Sequence, residues 1–134
     1  MAARLNPYIS FAGSARPAME FYQSVLGGDL VVSTFGESGV PGAPADQVMH
    51  AMLTTPDGFA LMASDTPPGM EHTVGDNISI SLSGDSDSLR DYFVGLADGG
   101  RITMPLEKQM WGDEFGMFVD KFGIAWMVNV TSAS

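Results

Sequence analysis

At 134 residues, 45% of them hydrophobic, the chain has the size of one ordinary globular domain and needs no covalent or metal staple to hold a core. It has no cysteine, which removes disulfides, thiolate nucleophiles and cysteine metal sites together and fits a reducing compartment. The formal net charge is −10, and Arg4, Arg16, Arg90, Arg101, Lys108 and Lys121 are scattered, so nucleic acid and anionic membranes are poor partners; the acidic balance reads first as solubility and second as attraction for a cationic ligand.

The segment from Met1 to Asn6 has one arginine and no apolar run, which predicts neither a signal peptide nor a membrane span and places the protein in the cytoplasm. Asn6 to Phe11 reads as a first strand ended by Gly13. A helix should start near Ser14 or Arg16, with Pro17 in its first turn. Its apolar stripe is Ala15, Ala18, Met19, Tyr22, Val25 and Leu26, and Gly27-Gly28 stops it. Strands are expected over Asp29 to Phe35, Gln47 to Thr55 and Phe59 to Ser64. Pro56-Asp57-Gly58 should join the last two as a hairpin, and the Gly- and Pro-rich stretch from Gly36 to Asp46 reads as a mobile loop.

The pattern then starts again. Asn77 to Ser83 alternates Ile78, Ile80 and Leu82 with serines, as a half-buried strand does. Asp85 or Asp87 can cap a second helix with the stripe Leu89, Tyr92, Phe93 and Leu96, ended by Gly99-Gly100. Strands follow over Arg101 to Trp111, with a break at Pro105, then Glu114 to Val119, then Ile124 to Thr131. Met19, Tyr22 and Leu26 match Leu89, Tyr92 and Leu96 at a period of about 70 residues. Asp57-Gly58-Phe59-Ala60-Leu61-Met62 answers Phe122-Gly123-Ile124-Ala125-Trp126-Met127. The chain is therefore expected to be one α+β domain over 1–134, built from two repeated βαβββ modules at about 5–65 and about 77–131, with a linker at about 66–76.

The stretches "NPYISF", "AMEFYQSVLGGDL", "VMHAML", "LMASD" and "WGDEFGMFVDKFGIAWMVNV" resemble the PhnB-like branch of the vicinal oxygen chelate (glyoxalase/bleomycin resistance/extradiol dioxygenase) superfamily, along nearly the whole chain. The resemblance implies that the paired modules form a curved mixed sheet around a cleft and that the protein is a homodimer. Members of the branch are largely unassigned in function, and the fold does not support the methyltransferase label that some bear.

Metal-dependent members of the superfamily place His, Gln or Glu on the first and last strand of each module. Carried over, those positions fall at Pro7, Asn77, Met62 and Met127. Proline has no donor, methionine is a soft ligand, and asparagine offers one weak oxygen, so no hard or borderline divalent ion is suited. A slip of one residue brings in Tyr8, Ile78, Leu61 or Trp126, and none restores the set. No metal and no other cofactor is expected.

His50 and His72 are the two imidazoles. His50, mid-strand, is the best candidate for an acid/base or ligand-orienting group, whereas His72 reads as a solvated linker residue. There is no Gly-x-Ser-x-Gly, P-loop or GxGxxG. Asp113 and Glu114 are neighbours that a strand would turn to opposite sides; Trp111-Gly112-Asp113 has turn chemistry, and Asp120 with Gly123 frames another turn. Met49, Met52, Met62, Met104, Met110, Met117 and Met127 are expected in strands, and with Phe11, Phe118, Ser79 and Ser81 they suggest an apolar pocket with a few polar contacts.

The function expected is metal-independent binding of a small, partly apolar molecule, for which the acidic balance would suit a basic one, and no covalent chemistry is required. His50 serves as polar anchor beside Met62, Asn77, Ser79, Trp111, Asp113 and Met127. The competing expectation is a divalent-metal lyase, isomerase or dioxygenase with unconventional ligands such as His50 with Glu107 or Asp113, and a third is a module that binds only a protein.

Overall fold

The computed structural model describes residues 3–132, which form two compact units divided between Val74 and Gly75. The first holds β1 (Tyr8–Phe11), α1 (Ala15–Leu26), β2 (Asp29–Thr34), β3 (Val48–Thr54) and β4 (Ala60–Asp65). Its sheet runs β1-β4-β3-β2, with β1 parallel to β4 and the other pairs antiparallel. The second holds β5 (Ile80–Gly84), α2 (Ser88–Ala97), β6 (Arg101–Lys108), β7 (Glu114–Val119) and β8 (Ala125–Val130) in the order β5-β8-β7-β6, with the same parallel and antiparallel pairings. Each half is thus one βαβββ module. Among the described residues no helix is long and apolar enough to cross a membrane.

In the first module α1 lays Ala15, Ala18, Met19, Tyr22 and Leu26 over β2, β3 and β4. The residues beneath are Val48, Ala51, Leu53, Leu61 and Ala63, all buried, and burying each large apolar side chain is worth about 1.5–3 kcal/mol. Ser14 stands at the helix N-cap but its hydroxyl makes no capping bond. The cap comes from the buried Asp65 at the end of β4. Its Oδ1 accepts the Gly13 and Ala15 N–H groups at 3.0 and 2.9 Å, and its Oδ2 accepts the Val48 N–H at 2.9 Å. One carboxylate therefore ties the helix start to β3 and β4, and it satisfies backbone donors that burial would otherwise leave unpaired.

The second core is aromatic. Phe93 of α2 meets Phe118 of β7 edge-on at 5.1 Å, and Phe118 stacks on Trp126 of β8. Gly116 in β7 makes room for this: a Cβ there would stand 2.7 Å from the Phe93 ring and 2.9 Å from the Leu106 backbone. The Trp126 indole N–H is buried and donates to Asp120 Oδ2 at 2.8 Å.

The repeat holds at the level of hydrogen bonds. Thr55 N–H donates to the Phe59 carbonyl at 3.0 Å, and Asp120 N–H donates to the Ile124 carbonyl at 2.9 Å. Gly58 and Gly123 N–H groups close the two turns onto the carbonyls of Thr55 and Asp120, both at 2.9 Å. Thr55 Oγ1 also accepts the Phe59 N–H, as Asp120 Oδ1 accepts those of Phe122 and Ile124. Asp120 with Gly123 therefore frames a turn, as its residue types predict.

Several boundaries differ from the sequence reading. The first strand begins at Tyr8 and the fifth at Ile80, so Asn77, Ile78 and Ser79 lie outside β5. The alternation continues upstream of Ile80, but the pairing does not. Ile80 is opposite Trp126, so Ser79 would face Ala125, the first residue of β8, and Asn77 and Ile78 would run past its start. β6 ends at Lys108 rather than Trp111, with register shifts on both sides of Met104 in the stretch that holds Pro105. Asp87 occupies the N-cap of α2, yet its carboxylate accepts from Arg90 Nη1 at 2.7 Å instead of capping backbone. The Gly36–Asp46 stretch carries backbone bonds at its neck, from Phe35 N–H to the Gln47 carbonyl and from Gly36 N–H to the Ala45 carbonyl, both 3.0 Å.

Candidate functional site

Each sheet has one face under its helix and one face free of it, because strand side chains alternate. The open faces hold the chemically interesting residues, and each belongs to its own module.

On the first module's open face, Val31, Met52, Met62 and Tyr8 stand in cross-strand register over β2, β3, β4 and β1. His50 lies two residues before Met52 and therefore on the same face, opposite Ser33. Its ring is 5.8 Å from that of Tyr8. Met62 and His50 are half-buried, so the structure brings these two expected residues to one face. The sequence reading missed Tyr8 as a site residue, since a lone strand tyrosine carries no pattern of its own.

On the second module's open face, Ser81, Met127, Met117 and Met104 form one cross-strand row and Ser83, Asn129, Phe115 and Glu107 the next. The β6–β7 turn leans over the second row. Gln109 N–H donates to the Asp113 carbonyl at 2.8 Å and Gly112 N–H to the Gln109 carbonyl at 3.0 Å, with Gly112 at φ 102°. This confirms turn geometry at Trp111-Gly112-Asp113. It sets the 59%-exposed Trp111 ring 6.2 Å from Phe115 in an edge-on contact. Asp113 Oδ2 accepts the Asn129 amide at 3.0 Å and Oδ1 accepts the Ser132 N–H at 3.0 Å. The Asn129 bond, and after it the Ser132 bond, hold the Asp113 carboxyl below the usual carboxylate range.

Glu114 turns to the opposite side, as neighbours in a strand must. It pairs with Arg90 of α2, which also holds Asp87. The Arg90 bond lowers the Glu114 carboxyl, and the Glu114 bond raises the guanidinium. This cluster sits beside the helix, away from the open face.

Trp111, Asp113 and Met127 thus lie on one face with Met117, joined by Asn129 and Phe115, which the sequence reading did not single out. Asn77 is exposed ahead of β5, and Ser79 is half-buried there, so neither stands on the strand. Phe11 and Phe118, read as pocket residues, are 4% and 1% exposed and belong to the cores. Met110 is not in a strand; it is 98% exposed in the turn. His72 Nδ1 lies 3.3 Å from the linker hydroxyl of Thr66.

Tyr8 is opposite Met62, and Ser81 is opposite Met127. Neither pair, a hydroxyl beside a soft thioether, suits a hard divalent ion. Among the described residues no three His, Cys, Asp or Glu side chains gather as a metal site would require.

The profile of the Glyoxalase/Bleomycin resistance protein/Dioxygenase superfamily matches residues 4–128. Protein YjdN of Escherichia coli K12 is 30% identical, with 94% of each chain covered. The crystal structure of protein PA1353 from Pseudomonas aeruginosa superposes with a TM-score of 0.88 at 41% identity, covering 98% of this chain and all of that one. A PhnB protein from Bacillus cereus that bears a 3-demethylubiquinone-9 3-methyltransferase designation superposes with a TM-score of 0.79 at 26% identity, over 96% of this chain and 100% of that one. A match over nearly the whole chain, together with the duplicated βαβββ module, establishes that this chain belongs to the glyoxalase/bleomycin resistance/dioxygenase superfamily, in its PhnB-like branch.

Proposed function

We propose that the protein binds a small, partly apolar molecule without a divalent metal, using the open sheet faces. The observation that supports this most directly is the second module's face. There Met117, Met127, Phe115 and Trp111 surround Asn129 and the serines Ser81 and Ser83, an apolar bed with a few oriented polar groups. Thioethers and rings supply burial energy and adapt to an irregular ligand; the amide and hydroxyls orient it. The first module's face has the same balance, with Met52, Met62 and Tyr8 around His50 as its polar anchor. The net charge of −10 favours a cationic ligand. The homodimer that the resemblance implies is part of the same reading.

Metal analysis of the purified protein, followed by thermal shift with zinc, nickel and manganese and then with a library of small aromatic and alicyclic amines, tests the reading. No stoichiometric metal, no response to the ions, and a rise in Tm with amines are expected. A stoichiometric metal lost on His50→Ala would overturn it in favour of a metal-dependent enzyme. Silence toward every small molecule would favour a protein-binding module. Light scattering gives the oligomeric state, and a monomer would remove the dimer from the reading.

A further inference from the structure

The second module's open face has a polarity that its residue types alone do not reveal. Asn129 carries a donor end and an acceptor end, and which end faces a ligand depends on its neighbours. Here a carboxylate decides. The Asn129 Nδ2 donates to Asp113 Oδ2 at 3.0 Å, and a carboxylate accepts only, so the amide cannot turn its oxygen that way. Asp113 is itself held by the Ser132 N–H at 3.0 Å. The Asn129 Oδ1 has no hydrogen-bond partner among the described residues and is not sealed from solvent. It is left as a bare acceptor on the open face, and the ionised partner behind the amide polarises it further.

The same row continues through Phe115 to Glu107, whose exposed carboxylate also has no partner among the described residues. An amide oxygen and a carboxylate thus flank one aromatic ring, with the Trp111 ring edge-on above it. The row beneath is thioether: Met104, Met117 and Met127. The basic residue of this face, Arg101, stands opposite Val119, beyond the methionine row and away from this end.

We infer that Asn129 and Glu107 select an organic ammonium ligand, a hydrogen-bond donor carried on an aromatic or alicyclic body, and that Asp113 is the positioning residue that makes Asn129 an acceptor. The ammonium group lies between the amide oxygen and the carboxylate, over π faces that attract a cation, and the body lies on the methionines. This rests on the proposed small-molecule binding and names its ligand class.

Calorimetry with three probes of one body tests it: 1-naphthylmethylammonium, 1-naphthylmethanol and 1-naphthoate. The expected order of affinity is ammonium, then alcohol, then carboxylate. Glu107→Gln, on an exposed edge strand, should cut ammonium affinity about tenfold and leave the alcohol within about twofold. Asn129→Leu should weaken both donors, and Asp113→Asn should narrow the gap between donor and acceptor probes, since the amide is then free to turn. Circular dichroism and Tm confirm folding of each variant, and Glu107→Gln decides the matter if the other two unfold. Equal binding of all three probes, or an ammonium preference unchanged in Glu107→Gln and Asn129→Leu, overturns the inference and leaves small-molecule binding standing. No binding of any probe to the parent protein overturns the inference, and silence across the amine library as well overturns both.

Discussion

Gly116 shows how one position can be required by space alone. It lies in the middle of β7, where glycine weakens a strand, and its backbone is not in the left-handed region. What it provides is room for the Phe93 ring and for the irregular β6 backbone at Leu106. Gly116→Ala adds one carbon into occupied space and should cost about 1–3 kcal/mol in urea unfolding, because two of the three nearest atoms are backbone and cannot swing aside. Asp113 and Glu114 make a second residue-scale contrast. They are adjacent and both acidic, yet one orients an amide on the open face and the other pairs with a helix arginine. The alternation of a strand foretold that they part; their partners, 16 and 24 positions away, were not legible.

At the scale of elements, the helices and most strands were readable because their signal is periodic and local. The stripe of α1 and the exact span of β7 are examples. The errors fall where pairing decides. Residues 77–79 alternate like a strand, yet the pairing with β8 starts only at Ile80, and residues 77 and 78 would run past the first residue of β8. The Asp65 clamp was invisible for the same reason, since it reaches back as many as 52 positions. Asp65→Ala should cost about 3 kcal/mol or more, because it leaves three N–H groups in the first module without their acceptor. Ser14→Ala, at the nominal cap, should stay within about 0.5 kcal/mol, since its hydroxyl caps nothing. Chemical denaturation of the two variants side by side distinguishes the real cap from the apparent one.

For the whole molecule, acid is the informative stress. The Glu114 and Asp113 carboxyls ionise below their ordinary 4.5 and 3.8 once folded. A lowered folded value means the unfolded chain binds protons first as pH falls. The stabilisation is therefore complete above about pH 4.5 and is lost as pH drops through the folded values. Unfolding free energy should be flat near neutrality and fall below pH 4.5, and Glu114→Gln should make that fall shallower. Both groups are solvent-accessible, so the change at pH 7 should be small. The duplication is the whole-molecule property most legible in the sequence, because each half repeats the order strand, helix, strand, strand, strand.

Gly28 and Gly100 sit just before β2 and β6, each pressed on the end of a hairpin strand of its own module. A Cβ would lie 2.1 Å from the Thr54 carbonyl oxygen in the first and 2.2 Å from that of Val119 in the second. The neighbours in these two places have drifted, threonine in one half and aspartate in the other, while the glycines have not. A saturation scan of the chain should therefore show two matching intolerant positions, one in each half. The duplication would then be read from the substitutions the chain refuses, even after the rest of its paired residues had diverged.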